Sequence, residues 1–414
     1  MIYASGEGMY KEMDRYEKPL SYNWWIEEEK VWYIDALRQT LFTMDRRTLT
    51  AHMVSQLPVD ITSRYLKCIK AENRILCMPG GAEDNICIYD ISGNTWKQVQ
   101  IDAASDIRLN IVHVYQYQGK IYAVLKALNQ IAELNLETER IENYYDFPVR
   151  ENNKVKVSIL VNHYIYTVSS TLSSVFEFNC LTKKMQMYPL KIQEDELQTI
   201  CFDGRNFWLS GRLHKIYVWN KELNQIWTLK GFPAGFGRYH FSDYSKVILE
   251  YDETGCERIF RDTVYAGGRI WFIPLRTNKI LYSDKNAFLI NEFAIEDEME
   301  DEVSLKRKGH KFKYILEYVS DGRYIGLYSV KNRRMIEIDA LRLTYQFLNW
   351  SLDEAAVEAV RKIEMKNAFS NRIVKERDEK YLGYFMAYLK ENESNRNSQS
   401  DSMSEIGRKI YLRV

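Results

Sequence analysis

Seven times along the chain an apolar residue is followed four positions later by Asp or Asn. The pairs are Leu41/Asp45, Ile86/Asp90, Ile131/Asn135, Val175/Asn179, Ile216/Asn220, Ile280/Asp284 and Met335/Asp339. Successive Asx residues lie 45, 45, 44, 41, 64 and 55 positions apart. Recurrence on that scale means repeated supersecondary units, each too small to bury its apolar face alone. A short polar side chain at this place can bond the backbone two residues on and fix a turn. The regular spacing therefore assigns these residues to turns, not to acid–base chemistry.

Before each Asx come two runs of alternating apolar residues, as in Asn110-Ile-Val-His-Val-Tyr-Gln-Tyr-Gln-Gly-Lys-Ile-Tyr-Ala-Val124. Period-two alternation rich in Val, Ile, Tyr and Phe marks strands. Gly119-Lys120, Asp203-Gly204-Arg205, Gly267-Gly268-Arg269 and Asp321-Gly322-Arg323 supply the positive-φ residues of tight hairpins. Asn73 and Asn162 can serve there too, and the first unit offers Glu28-Glu29-Lys30. A third strand ends in the Asx and a fourth follows it. Six or seven residues past the Asx stand Trp96, Ile141, Met185, Trp227, Ile290 and Tyr345, expected to fill the wedge between neighbouring sheets.

A chain of 414 residues exceeds what one hydrophobic core supports. Four antiparallel strands in each of seven units predict an all-β fold, a seven-bladed β-propeller of four-stranded blades, because radial closure protects strand edges. The expected organisation is an N-terminal arm at 1–20, the propeller at 21–350, a helical extension at 351–390, and a polar linker with an apolar end at 391–414. Ser351 and Glu354 have the spacing of a helix capping box. The last unit carries its own fourth strand within Leu343–Trp350, so closure requires no strand swap.

In the second unit Cys77-Met-Pro-Gly-Gly81, Ile88-Tyr-Asp90 and Asn94-Thr-Trp96 resemble the Kelch repeat, the blade of galactose-oxidase-like propellers. The resemblance covers about residues 21–350 as architecture and is specific in that one blade. It implies a propeller with a ligand-facing end, in a family that includes both adaptors and enzymes.

Lys+Arg and Asp+Glu balance at 57 each, so no bulk field draws the protein to nucleic acid. No run approaches the length of a membrane span, and Met1–Gly8 has no secretion-signal pattern. The cysteines Cys68, Cys77, Cys87, Cys180, Cys201 and Cys256 show no CxxC spacing and read as buried thiols of a cytoplasmic protein. The histidines His52, His113, His163, His214, His240 and His310 form no i,i+4 pair, and no metal or cofactor is expected.

Two enlarged connections, about 231–262 and 296–311, join a fourth strand to the next first strand. The acidic run Glu296–Glu302 reads as a solvated loop, whereas the segment with Phe236, Arg238, Tyr239 and His240 is a candidate recognition loop. Antiparallel connectivity puts both at the same end as the second-to-third turns, which carry Arg38, Arg212, Arg276 and Arg333. Guanidinium groups around an axis suit a carboxylate or phosphate. Asn129, His214 and Asn278 stand beside them and suit sugar hydroxyls. The leading reading is a non-catalytic scaffold for a protein or glycan-containing partner, with 406–414 as a further docking segment. The alternative is a sugar-acid mutarotase or epimerase, an activity found on Kelch-type propellers, with His214 or His240 moving the proton.

Overall fold

A computed structural model describes residues 24–370 apart from 36–37, 60–64, 81–84, 101–110, 127, 149–154, 170–172, 193–194, 213–214, 230, 234–238, 242–248, 252–258, 276, 278, 300–312, 331 and 333. The chain divides into two compact units, 1–353 and 354–414. The first is a ring of seven four-stranded antiparallel blades. The described part of the second is one helix, Glu354–Ser370, with Ala356, Val360 and Ile363 at helical spacing along one stripe.

The first strands of the blades are Trp25–Ile26, Tyr65–Ala71, Ile111–Tyr117, Val155–Val161, Thr199–Phe202, Phe260–Ala266 and Tyr314–Ser320. Each contacts the first strand of the next blade, and the last returns to the first, so they form the inner wall. The fourth strands, such as Thr95–Gln100 and Arg140–Asp146, are mostly exposed and form the rim. Apolar clusters fill the gaps between blades. One joins Trp32, Ile34 and Leu41 to Tyr65, Ile75 and Cys77, and another joins Tyr122 and Ile131 to Ile165 and Phe176.

The turns follow the expected chemistry. Asp45 Oδ1 accepts from Arg47 N at 2.8 Å and Thr48 N at 2.7 Å, and Asn179 Oδ1 accepts from Leu181 N at 2.8 Å and Thr182 N at 3.0 Å. Gly267 and Gly268 both take positive φ, 59° and 76°, as a two-residue hairpin matched to strand twist requires. In the second blade Glu72, not Asn73, holds the positive φ.

A row of cross-strand neighbours, Cys68, Cys77 and Cys87, runs through the second blade. These three and Cys180 and Cys201 are buried free thiols; Cys256 lies outside the described residues. Burial pushes the Cys68 thiol up to about 12 and that of Cys180 up to about 11. A thiol-reactive disulfide reagent should therefore label at most one cysteine of the native protein quickly, and all six after unfolding. Rapid labelling of two or more before unfolding refutes this placement.

The ring closes between blades 7 and 1. The seventh blade keeps its own fourth strand, Thr344–Leu348. Ser351–Leu352 then adds a fifth strand to blade 1, parallel to Thr50–Gln56, with Ser351 N donating to Leu49 O at 3.1 Å and Asp353 N to Ala51 O at 3.0 Å. Ser351 is therefore strand, and the helix begins only at Glu354. Trp24 N donates to Glu317 O at 3.1 Å across the same seam. The Trp24 ring stacks on Tyr33 and Tyr318 at 5.8 and 5.6 Å and meets Trp350 edge-on at 6.3 Å.

Candidate functional site

The inner wall departs from regular alternation at matching places. In blades 2, 3, 4, 6 and 7 the first strand slips register against the second between Tyr65 and Lys67, Ile111 and His113, Val155 and Ser158, Phe260 and Asp262, and Leu316 and Tyr318. A bulge inserts unpaired residues and re-aims the side chains that follow. The first paired residue past the bulge is Lys67, His113, Ser158 or Asp262 in four of these blades. The same local device thus places polar groups on the wall in each.

His113 and Ser158 join blades 3 and 4. The His113 Nδ1 lies 2.6 Å from Ser158 O, which only accepts, and 3.2 Å from Ser158 N, which only donates; the shorter contact favours the tautomer with the proton on Nδ1. Tyr115 OH donates to Ser158 Oγ at 3.0 Å and stands 3.1 Å from the same Nδ1. Nε2 is then a lone-pair acceptor on a half-buried ring. Burial, and after it the Lys67 charge, holds this imidazole well below its usual range, so it is neutral near pH 7. Burial pushes the Tyr115 hydroxyl up, so it remains a donor.

Lys67 belongs to blade 2, yet its ammonium feels Asp262 and Arg261 of blade 6, two blades that are not neighbours on the ring. Burial lowers Lys67 to about 8, Asp262 acting in the opposite sense. Arg261 Nε lies 3.2 Å from Asp262 Oδ2. On the wall between blades 5 and 6, Thr263 Oγ1 donates to Thr199 Oγ1 at 2.7 Å, and Thr199 shares a 2.6 Å hydroxyl contact with Ser210. Among the described residues no group of His, Cys, Asp or Glu is set to hold a metal.

A cavity of about 490 Å³ opens beside this cluster, lined by Trp25, Ile69, Val114, Leu160 and the segment Tyr115–Gln118. Its walls come from the first strands of blades 1 to 4, and Gln118 is a first-to-second turn residue. The cavity therefore lies toward the end of the ring opposite the second-to-third turns. Third-to-fourth turns share its end. In four successive blades they expose an apolar side chain: Leu181 (49%), Leu223 (60%), Leu289 (64%) and Leu341 (58%).

Of the residues singled out from sequence, Arg38 is buried and holds Asp35 at 2.5 Å. Arg212 pairs with Glu196 at 2.7 Å, and its backbone N donates to Asp195 Oδ1 at 2.7 Å. Asn129 is buried, and its Oδ1 accepts from Val155 N at 3.3 Å. These three are held within the fold. His214, Phe236, Arg238, Arg276, Asn278 and Arg333 lie outside the described residues. Tyr239 and His240 begin a short antiparallel hairpin, Tyr239–Phe241 with Leu249–Tyr251. The acidic run is not simply solvated: Glu298 is fully buried and accepts from Ser329 Oγ at 2.6 Å, Asn332 Nδ2 at 2.7 Å and Arg334 Nε at 3.0 Å.

Sequence reasoning missed Lys67, His113, Ser158 and Asp262. The available signal was a polar residue four or five positions before the hairpin turn, interrupting an apolar run, as in Tyr65-Leu-Lys-Cys-Ile69.

No protein-family model matches the chain, and no curated protein matches it by sequence. Solved structures match it in fold. A streptogramin B lyase structure aligns with TM-score 0.56 and 13% identity, over 80% of this chain and 95% of that one. A chain of the mitotic checkpoint complex aligns at 0.51 and 8%, over 81% and 88%. PorZ, a surface component of the type-IX secretion system of Porphyromonas gingivalis, aligns at 0.51 and 10%, over 81% of this chain and 39% of PorZ. At these identities the likeness is one of fold.

Proposed function

We propose that the propeller is a scaffold that binds a protein partner through the turns at one end of its channel. The observation that carries this reading is the row of exposed leucines Leu181, Leu223, Leu289 and Leu341 on equivalent turns of blades 4 to 7. Single exposed apolar residues are ordinary, but one on the third-to-fourth turn of each of four successive blades marks a contact surface. Blades 1 to 3 offer Arg46-Arg47-Thr48, Ser92-Gly93 and Glu137-Thr138 on the same turns, so the row has polar flanks. A chain of the mitotic checkpoint complex shares this fold, which supports an assembly role. Among the described residues no helix is long and apolar enough to cross a membrane.

The Kelch-like spelling of blade 2 has a structural counterpart that supports that affiliation: Trp96 meets Tyr89 in a tilted ring contact at 5.0 Å and its indole N–H donates to Ser55 Oγ of blade 1 at 2.9 Å. Buried free thiols support a reducing, cytoplasmic setting. The glycan and sugar-acid readings rest on the arginine-bearing loops and stand as the second option.

The test is affinity purification, identification of the co-purifying protein and calorimetry with both partners purified. Leu223→Asp with Leu341→Asp should weaken that complex at least about tenfold, since a charge is desolvated in each contact. Thermal stability should stay within about 0.5 kcal/mol for these exposed sites. Unchanged affinity removes this face from the interface. An NMR anomerisation assay over sugar acids separates the enzymatic alternative, which predicts acceleration abolished by altering a proton-transfer residue.

A further inference from the structure

We propose that the protein partner places an extended, uncharged segment in the mouth of the channel, where it pairs as an added strand with the inner edge of Ile111–Tyr117. This deepens the scaffold reading and rests on it, because it names the part of the partner that enters beside the leucine-bearing turns. The first observation is topological. Ile111–Tyr117 is the end strand of its sheet, paired on one side with Lys120–Leu125 and, among the described residues, with no strand on the other. An unpaired edge is a ready template for another strand.

The second observation is register. Gln118 and Gly119 both take positive φ, 48° and 72°, so they form a two-residue turn whose flanking residues, Tyr117 and Lys120, exchange backbone hydrogen bonds. Bonded and non-bonded pairs alternate along an antiparallel ladder. Tyr115 opposite Tyr122 is therefore the next bonded pair. Gln116 opposite Ile121 and Val114 opposite Ala123 turn their N–H and C=O groups away from the sheet, toward the axis.

The third observation is the cavity, which touches five consecutive residues, Val114 to Gln118. Val114 packs on the apolar cluster shared with blade 2, and Tyr115 and Tyr117 pack on the one shared with blade 4. Side chains alternate across a strand, so a cavity that meets both sets passes along the edge between them. Trp25, Ile69 and Leu160 supply the other walls, and none of the eight lining residues is charged. A charged side chain entering here would lose hydration without gaining a counter-ion, whereas apolar and hydroxyl side chains fit.

The probe is the capped pentapeptide N-acetyl-Thr-Leu-Thr-Leu-Thr-amide, titrated into the full chain and followed by calorimetry and hydrogen exchange. The amides of Val114 and Gln116 should exchange fast in the free protein and slow down with the peptide bound. Replacing both peptide leucines by glutamate should weaken binding at least about tenfold. Two further peptides carry N-methyl groups on both leucines or on all three threonines. Alternate N–H groups of a strand face opposite ways, so one analogue should lose at least about tenfold and the other should bind like the parent. Gln116→Pro deletes an outward donor at an edge that tolerates proline, and should weaken the peptide with little change in melting temperature. No binding at millimolar concentration, or N-methyl analogues that behave alike, overturns the proposal. Leu223→Asp with Leu341→Asp should leave peptide affinity unchanged, which separates the two readings. A partner complex weakened by that pair without any peptide binding removes the added strand and spares the leucine-bearing turns; peptide binding beside an unaltered complex does the reverse.

Discussion

Gly326→Ala should lower the unfolding free energy by about 3 kcal/mol, a large overpacking cost. Gly326 pairs directly with Tyr318 across the first two strands of blade 7. A Cβ built on Gly326 would stand 2.0 Å from Tyr318 Cε1. The ring has little freedom to move aside. It stacks on Trp24 at 5.6 Å, and its hydroxyl donates to Glu337 Oε2 at 2.8 Å. Glycine is thus required here by the ring lying over it, not by backbone dihedrals. Tyr318→Ala alone should cost about 3 kcal/mol through lost packing, and Gly326→Ala added to it should cost less than about 0.5 kcal/mol. Denaturant titration of the four proteins completes the cycle. Additive losses would show that the ring is not what excludes a side chain at 326.

Trp350→Ala should be comparably damaging, about 3–5 kcal/mol, and its damage should be local to the seam. Trp350 is buried, edge-on to Tyr33 at 5.8 Å and to Trp24 at 6.3 Å, just before the strand that clasps blade 1. In a ring of blades that each touch two neighbours, weakening one junction opens that junction first. Hydrogen exchange should accelerate in Lys30–Asp35 and Tyr314–Ser320 and remain slow in Tyr164–Ser169. Uniform acceleration around the ring would contradict a local seam. Trp227→Ala is the control: that indole is 45% exposed, and its loss should cost under about 0.5 kcal/mol.

Trp227 also shows where reading the repeat failed. Trp96, Ile141, Met185, Ile290 and Tyr345 stand six positions past their Asx residues and pack between blades as expected. Trp227 stands seven past Asn220, and in a strand that single step turns a side chain to the other face. Ile226, at six, takes the wedge position in blade 5. Another repeated feature passed unnoticed two residues before the Asx. There Glu133, Glu177 and Glu337 meet tyrosines, and the first two also meet Lys183 and Lys221 from the next blade. Each pair lies 44 or 50 residues apart, beyond what periodicity within one unit can reveal.

The chain's own order of residues set the strands, their turns, the seven units and the residues that fill the wedges. Those features depend on dihedral preferences and period-two burial, which act over a few neighbours. Ring closure decided the rest: that Thr263 would find Thr199, that His113 would find Ser158, and that Trp24 would meet Trp350. A bulge shifts alternation by one residue, and a closed circle brings together groups hundreds of residues apart. Neither effect leaves a period in the sequence, so the polar wall and the seam became visible only in three dimensions.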